Sequence, residues 1–370
     1  MRELDGSNAG GQFLRTALTL SVLENQPVRL ENVRGDRPNP GLAHQHLAVL
    51  ETMAELCDAE VSGTELGAET IEFDPGLSDG GGSGNGDGSD FGTARLEGGS
   101  YAVDIGTAGS ATLLFDAVLP LATVLESRLS ITVTGGTDVE WSPPLDYAGH
   151  VKLPLLGRYG LVASCEVDRR GFYPDGGGRV TLRLAPSTLE PLDLAERGDL
   201  EGVRLYSTES ASLADRGVAH RQLEGALERL DVAGPNRNGG DDLEVLERQE
   251  RTAASPSPGS ALVIRVDHGT GIAGFGALGE RGKPAERVGE DAADAANRFL
   301  EGSAPVDPHM GDQLLVSLAL AGGRVRLPAV TDHVEASREL LASFGIETVL
   351  EYEHERDGEA VVSLESAPLL

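Results

Sequence analysis

Apolar positions recur along this chain in two alternating rhythms. In "GQFLRTALTLSVLEN" Leu14, Ala17, Leu18 and Val22 share one face of a 3.6-residue period that ends near Asn25, which predicts a helix. "PVRLENV" then alternates apolar and polar residues as a half-buried strand does. "NPGLAHQHLAVLETMAELCDA" predicts a second helix with Pro40 suited to its first turn, and "AEVSG" and "ETIEFDP" predict two short strands. These elements make a β-α-β-α-β-β unit of about 75 residues.

The same order recurs in "GGSYAVDIG", "SATLLFDAVLPLATVL", "RLSITVTGG", "DYAGHVKLPLLGRYG", "LVASCEVDRR" and "GRVTLRLAP". A third pass is predicted from Ala261 to Leu370, with helices "AADAANRFLEG" and "DQLLVSLALAGG" and strands "GRVRLPAV", "ETVLEYEH" and "AVVSLESA". What repeats is the pattern, not the residues. Residues from about Ser187 to Ser260 break the rhythm. The expected fold is therefore α/β (α+β), with repeats one and two in residues 1–186, a smaller inserted α/β domain in 187–260, and repeat three in 261–370. "DGGGSGNGDGSD" (Asp79–Asp90) predicts a flexible loop and "TAASPSPGS" (Thr252–Ser260) a linker.

Composition changes this picture in one respect. Acidic residues outnumber basic ones 60 to 30, giving a formal charge of −30, and Lys152 and Lys283 are the only lysines. Such a surface stays hydrated where salt is high and screening blunts repulsion, so a salt-rich cytoplasm is expected. Against that background Met1–His46 is neutral, with five arginines and five acids, and is where a polyanion could settle. Cys57 and Cys165 have no CxxC spacing, so neither a disulfide framework nor a zinc site is indicated. "MRELDGSNAG" lacks the apolar core of a signal peptide and no window is long enough to span a membrane; a cytoplasmic protein is expected.

Candidate chemistry gathers in a few short stretches. "GFGALG" (Gly274–Gly279) matches G-x-G-x-x-G, but "ERGKPAE" follows where a dinucleotide site needs a helix, and no Walker A occurs. "NVRGDRPNPGLAHQH" puts Arg34 and Arg37 on a strand-to-helix turn, ahead of free helical N–H groups. That arrangement suits phosphate; the other reading pairs the two arginines with Asp36 and Glu31 on the surface. His44 and His46 diverge on a helix and do not form a metal pair, so a polar contact from Gln45 or His46 is favoured. His333, in "LPAVTDHVEASRELL", stands where a strand gives way to a helix: an exposed nucleophile on one reading, a helix-end surface residue on the other.

"LDGSNAGGQFLRTALTLS", "ENVRGDRPNPGLAHQHL", "IGTAGSATLLFDAVLPL", "GGTDVEWSPPLDYAGHVKLPLLGRYG", "RRGFYPDGGGRV", "LGERGKPAERVGEDAA" and "VDPHMGDQLLVSLALAGG" occur in the order and spacing of the RNA 3′-terminal phosphate cyclase family, which the chain resembles over nearly its whole length. With its acidic, lysine-poor composition it resembles a haloarchaeal member. The resemblance implies three β-α-β-α-β-β repeats, a smaller inserted domain, and ATP-dependent conversion of an RNA 3′-phosphate to a 2′,3′-cyclic phosphate. It implies that His333 takes AMP from ATP, that Arg15, Arg34, Arg37 and Gln45 handle phosphates of the RNA and nucleotide, and that His309 and Asp312 line the nucleotide site. ATP with Mg2+ (or Mn2+), and an RNA bearing a 3′-phosphate, are the implied ligands; no membrane and no protein partner are expected. The chain departs from the family pattern where "DGSNAGGQ" is two residues shorter and lacks a metal-contacting glutamate, where Ala336 and Ser337 replace Thr-Asn, and where Asp116 replaces glutamine. These departures keep an alternative open: a non-catalytic RNA-binding relative that acts in ribosome assembly and RNA processing, although such relatives lack the histidine.

Overall fold

The computed structural model describes residues 1–7, 10–77, 94–106, 109–230, 243–354 and 360–366. The loop expected at Asp79–Asp90 lies outside the described residues, as do Asn8 and Ala9 of the first glycine turn.

The chain is a mixed α/β protein. Strand β1 (Arg2–Asp5), helix α1 (Gly11–Glu24), strand β2 (Val28–Glu31), helix α2 (His44–Cys57) and strands β3 (Glu60–Ser62) and β4 (Ile71–Asp74) come first. Their sheet has the order β1-β2-β4-β3, parallel between β1 and β2 and antiparallel elsewhere. The sequence predicts one apolar face for α1, yet every residue from Thr16 to Leu23 is buried. Packing explains this, because α1 lies against α2 and against one helix each (Ala111–Val118 and Asp332–Ser343) from two of the three later sheets. Thr19 meets that burial with a hydroxyl whose one proton is shared between Arg15 O at 2.9 Å and Ala117 O at 2.8 Å. Asn25 ends the helix in the left-handed conformation, which asparagine tolerates. Helix α2 starts four residues beyond Pro40, which therefore does not occupy its first turn; Arg34 to Pro40 instead forms an irregular loop.

The second sheet is built from β5 (Gly99–Asp104), α3 (Ala111–Val118), β6 (Leu129–Gly135), α4 (Leu145–Tyr147), a π-turn (Ala148–Lys152), α5 (Leu153–Gly157), β7 (Ala163–Arg169) and β8 (Gly178–Leu184), in the order β5-β6-β8-β7. Strand β9 (Leu192–Leu194) follows. Then β10 (Leu200–Ser210), α6 (Val218–Arg229), β11 (Val245–Ala253), β12 (Ser260–His268), β13 (Ile272–Leu278) and α7 (Ala285–Glu301) give a sheet ordered β11-β10-β12-β13. Both helices cover this sheet around a core that includes Val203, Leu223, Ile264, Ala293 and Phe299. Helices α8 (Pro308–Gln313), α9 (Leu315–Ala321) and α10 (Asp332–Ser343) accompany the last sheet, in which β14 (Gly323–Leu327), β15 (Thr348–His354) and β16 (Ala360–Ser366) take the order β15-β16-β14-β9.

Two boundary expectations are corrected by these pairings. Ser260–Leu278, expected to open the last repeat, pairs with Leu200–Ser210, Ile264 facing Leu205 across the ladder. The first strand of the last sheet is instead Leu192–Leu194, parallel to Gly323–Val325. The apolar run Ala261–Ile264 is buried throughout and is satisfied only between β10 and β13. "GFGALG" overlaps β13, where a Cβ on Gly274 would lie 2.6 Å from Val151 Cγ2; that glycine serves close packing of strand on helix. Cys57 is buried and Cys165 half-buried, and burial pushes their thiols up to about 12 and about 11. No helix among the described residues is long and apolar enough to cross a membrane.

Candidate active site

Arg15, Arg34, Arg37, Gln45, His309, Asp312 and His333, seven residues from four separate parts of the chain, all line one cleft of about 940 Å3. The first turns of α1, α2 and α10 and the N-cap of α3 border it, so several helix N-termini turn their positive ends toward the same space. Ser110 caps α3 and Thr331 caps α10 through side-chain oxygens, whereas Gly10 leaves the first turn of α1 without a side-chain cap.

Glycine at the start of α1 is required by what stands over it. A Cβ on Gly11 would lie 2.2 Å from His46 Nε2, and one on Gly10 would lie 3.5 Å from an Arg37 guanidinium nitrogen and 3.9 Å from His333 Cε1. The turn, Arg37 and His333 thus converge. His333 is exposed at the second residue of α10, and its imidazole has no hydrogen-bond partner among the described residues.

The cleft arginines have no carboxylate in direct contact: none of Arg15, Arg34 and Arg37 is within ion-pair distance of one among the described residues. Desolvation holds the Arg15 pKa below its ordinary value, only partly offset by Asp116 and Asp312. Arg34, whose backbone is held at φ +55°, donates to Gly41 O at 2.9 Å, and desolvation and then Arg37 lower its pKa. His46 registers the same excess: burial, then Arg34 and Arg15, push its imidazole down to about 4. It is therefore neutral near pH 7, and its Nδ1 accepts from the Ala43 N–H at 3.2 Å.

Opposite them stand acids and one lysine. Lys152, buried in the π-turn, donates to Asp116 Oδ1 at 2.5 Å. Asp312 Oδ1 is buried with no hydrogen-bond partner, and its pKa is raised chiefly by burial, against the pull of His333, Lys152 and His309. His309 is fixed through its backbone: Asp307, the N-cap of α8, accepts at 3.0 Å from the His309, Met310 and Gly274 N–H groups and from the Tyr147 hydroxyl. Among the described residues no group of three or more histidine, cysteine or carboxylate side chains is arranged to cage a metal.

The Gln45 amide is engaged with the Ser110 backbone, accepting from its N–H and donating to its carbonyl at 3.2 Å, so it braces α2 against α3 at the cleft wall. Lys152, Asp307 and Tyr147 were given no role by sequence reasoning. Lys152 had a signal, as one of two lysines in 370 residues; Asp307 had another, an acid before a proline at a helix start.

Comparison with known proteins agrees with the ordered motifs. A family model described as RNA 3′-terminal phosphate cyclase matches residues 7–349. The chain is 43% identical over 363 residues to the RNA 3′-terminal phosphate cyclase of Halobacterium salinarum, covering 98% of this chain and all of the relative. It is 42% identical over 326 residues to that of Methanopyrus kandleri (87% and 86% covered), and 36% identical over 336 residues to that of Pyrococcus furiosus (90% and 89%). Among solved structures, an EPSP synthase from Acinetobacter baumannii aligns with 98% of this chain and 64% of its own, at TM-score 0.28 and 12% identity, too remote to carry an argument.

Proposed function

The chain belongs to the RNA 3′-terminal phosphate cyclase family, and from that premise we propose that it uses ATP to convert an RNA 3′-phosphate into a 2′,3′-cyclic phosphate. The observation that carries the reading is the convergence of an unpartnered, exposed histidine with three arginines that have no carboxylate partners.

A 2′-hydroxyl cannot expel oxide from a phosphate monoester, so the monoester must first acquire a leaving group. His333 supplies the nucleophile: its ring nitrogen bonds to the α-phosphorus of ATP as the bond to pyrophosphate breaks. The adenylyl group then passes from the ring to an oxygen of the RNA 3′-phosphate. The 2′-hydroxyl attacks that phosphorus, loses its proton and releases AMP. Arg15, Arg34 and Arg37 hold the phosphate oxygens by charge-assisted hydrogen bonds, aided by the uncapped N–H groups of α1. His309 and Asp312 border the nucleotide.

A divalent cation, Mg2+ or Mn2+, would enter as a passenger on the nucleotide phosphates, with Asp312, whose buried Oδ1 has no hydrogen-bond partner among the described residues, as the protein carboxylate to meet it. Bound there it would neutralise charge on the departing pyrophosphate. We read the three sheets that share one strand order as three repeats, and residues 200–301 as an inserted unit. The acid excess supports work in a salt-rich cytoplasm.

The test is turnover. A 5′-labelled oligoribonucleotide with a 3′-phosphate, incubated with ATP and Mg2+ at high KCl, should become resistant to phosphatase, and only when ATP is present. A 3′-phosphate that stays phosphatase-sensitive across the full salt range would reject the activity.

A further inference from the structure

Trp141 is the chain's single tryptophan and is 94% exposed, on the wall of the cleft. Its backbone stands at φ +58°, a conformation that β-carbon-bearing residues rarely adopt. An apolar ring in water and a left-handed backbone are both unfavourable, and here they fall on one residue beside the anion site.

The loop that carries it is braced rather than loose. Ser142 donates its hydroxyl to Val139 O at 2.9 Å, and Thr112 donates to Pro143 O at 2.9 Å. One turn earlier, the Asp138 carboxylate accepts from the Leu145 N–H at 3.1 Å and from the buried Arg170 guanidinium at 3.1 and 3.2 Å. The indole is therefore presented by a fixed support.

We propose that Trp141 is a stacking platform for a nucleobase of the RNA 3′ end, placed so that the base rests on the indole while the terminal phosphate reaches the cleft arginines. This rests on the RNA reading above. Single-stranded nucleic acid is held by that combination of cationic groups on its phosphates and an aromatic face under a base, without need of a particular sequence. The adenine of ATP is the poorer occupant, because the nucleotide residues Asp312 and His309 belong to α8, with Asp312 half-buried, whereas the indole, carried on the loop between β6 and α4, stands 94% exposed at the rim. A protein partner is poorer still: the ring is flanked by exposed Glu140 and half-exposed Ser142, not by an apolar patch.

With one tryptophan in the chain, intrinsic fluorescence reports this residue alone. Wild-type protein is titrated with an oligoribonucleotide ending in a 3′-phosphate, its binding followed separately by anisotropy of a 5′-fluorophore. Quenching should saturate together with the anisotropy change, and ATP alone should leave the emission unaltered. Trp141→Ala should raise the RNA KM roughly five- to a hundredfold with kcat changed far less, and Trp141→Phe should recover most of the loss. RNA that binds by anisotropy without quenching, with Trp141→Ala unchanged in KM, would overturn the platform and leave the cyclase reading standing. Quenching by ATP alone would overturn it in favour of the nucleotide. Absence of RNA binding by anisotropy at any salt would overturn the RNA reading and the platform together.

Discussion

Beside the end of β7, Arg170 is 2% exposed and meets both Asp138 and Asp146; in the cleft, Arg15 is half-buried and meets no carboxylate within ion-pair distance among the described residues. Burial opposes the charge of each. At Arg170 the two aspartates outweigh it and raise the pKa, whereas at Arg15 burial prevails and the pKa falls. The Arg170 group is closed further by Thr208, which donates to Asp146 at 3.0 Å, and by Thr137, which donates to Asp138 at 2.6 Å. A guanidinium paired in this way ties the end of β7 to β10 through Asp146 and Thr208 and is committed to two buried carboxylates. One kept short of partners is destabilising in itself and is suited to an anion that arrives from outside.

The largest effect should come from breaking the saturated site. Arg170→Met strands two buried carboxylates and should lower stability by about 3–5 kcal/mol in urea unfolding at high salt. Arg15→Met is the counterpart, and its stability should be unchanged or slightly increased, because it removes a charge that folding does not compensate. Its catalytic cost should be plain: losing a charge-assisted hydrogen bond to phosphate is worth about 1.5–3 kcal/mol, or roughly ten- to a hundredfold in kcat/KM. Equal destabilisation by the two substitutions would erase the distinction.

His46 sharpens the comparison by a smaller amount. Its folded pKa, about 4, lies below the ordinary 6.5, so its contribution to stability is full above pH 6.5 and is lost as pH falls toward 4. At roughly 1.4 kcal/mol per pKa unit this is worth up to about 3 kcal/mol. Inorganic phosphate seated among the arginines should raise that pKa, by on the order of one unit, in an NMR titration of the imidazole. A pKa indifferent to phosphate would mean that the arginines do not hold it.

The individual elements were largely readable in the sequence, because α1, β6 and the helices of the last sheet carry strong local periodicity. What periodicity cannot report is which strands meet. Leu192–Leu194 is three residues long and finds Gly323–Val325 about 130 residues along the chain, so the start of the last sheet was placed at Ala261 instead. Arg34, Arg37, Gln45 and His333 had local signals at strand-to-helix turns, whereas Arg15, His309 and Asp312 were legible only as members of ordered motifs; no local pattern says that Arg15, Asp312 and His333 share a cleft. Lys152 and Asp307 were missed for a related reason. The buried ion pair of Lys152 with Asp116 and the bonds of Asp307 to Tyr147 and Gly274 exist only once distant segments pack, although the Asp307 cap on His309 is local.

The central claim is that the cleft positions phosphate for attack by His333. The most direct measurement is incubation with ATP labelled at the α-phosphate and Mg2+ at high salt, followed by denaturing gel and acid treatment, for the wild type and for His333→Ala. An acid-labile label is expected on the wild type and none on His333→Ala. Label retained by His333→Ala, or absent from the wild type across salt and metal conditions, would contradict it.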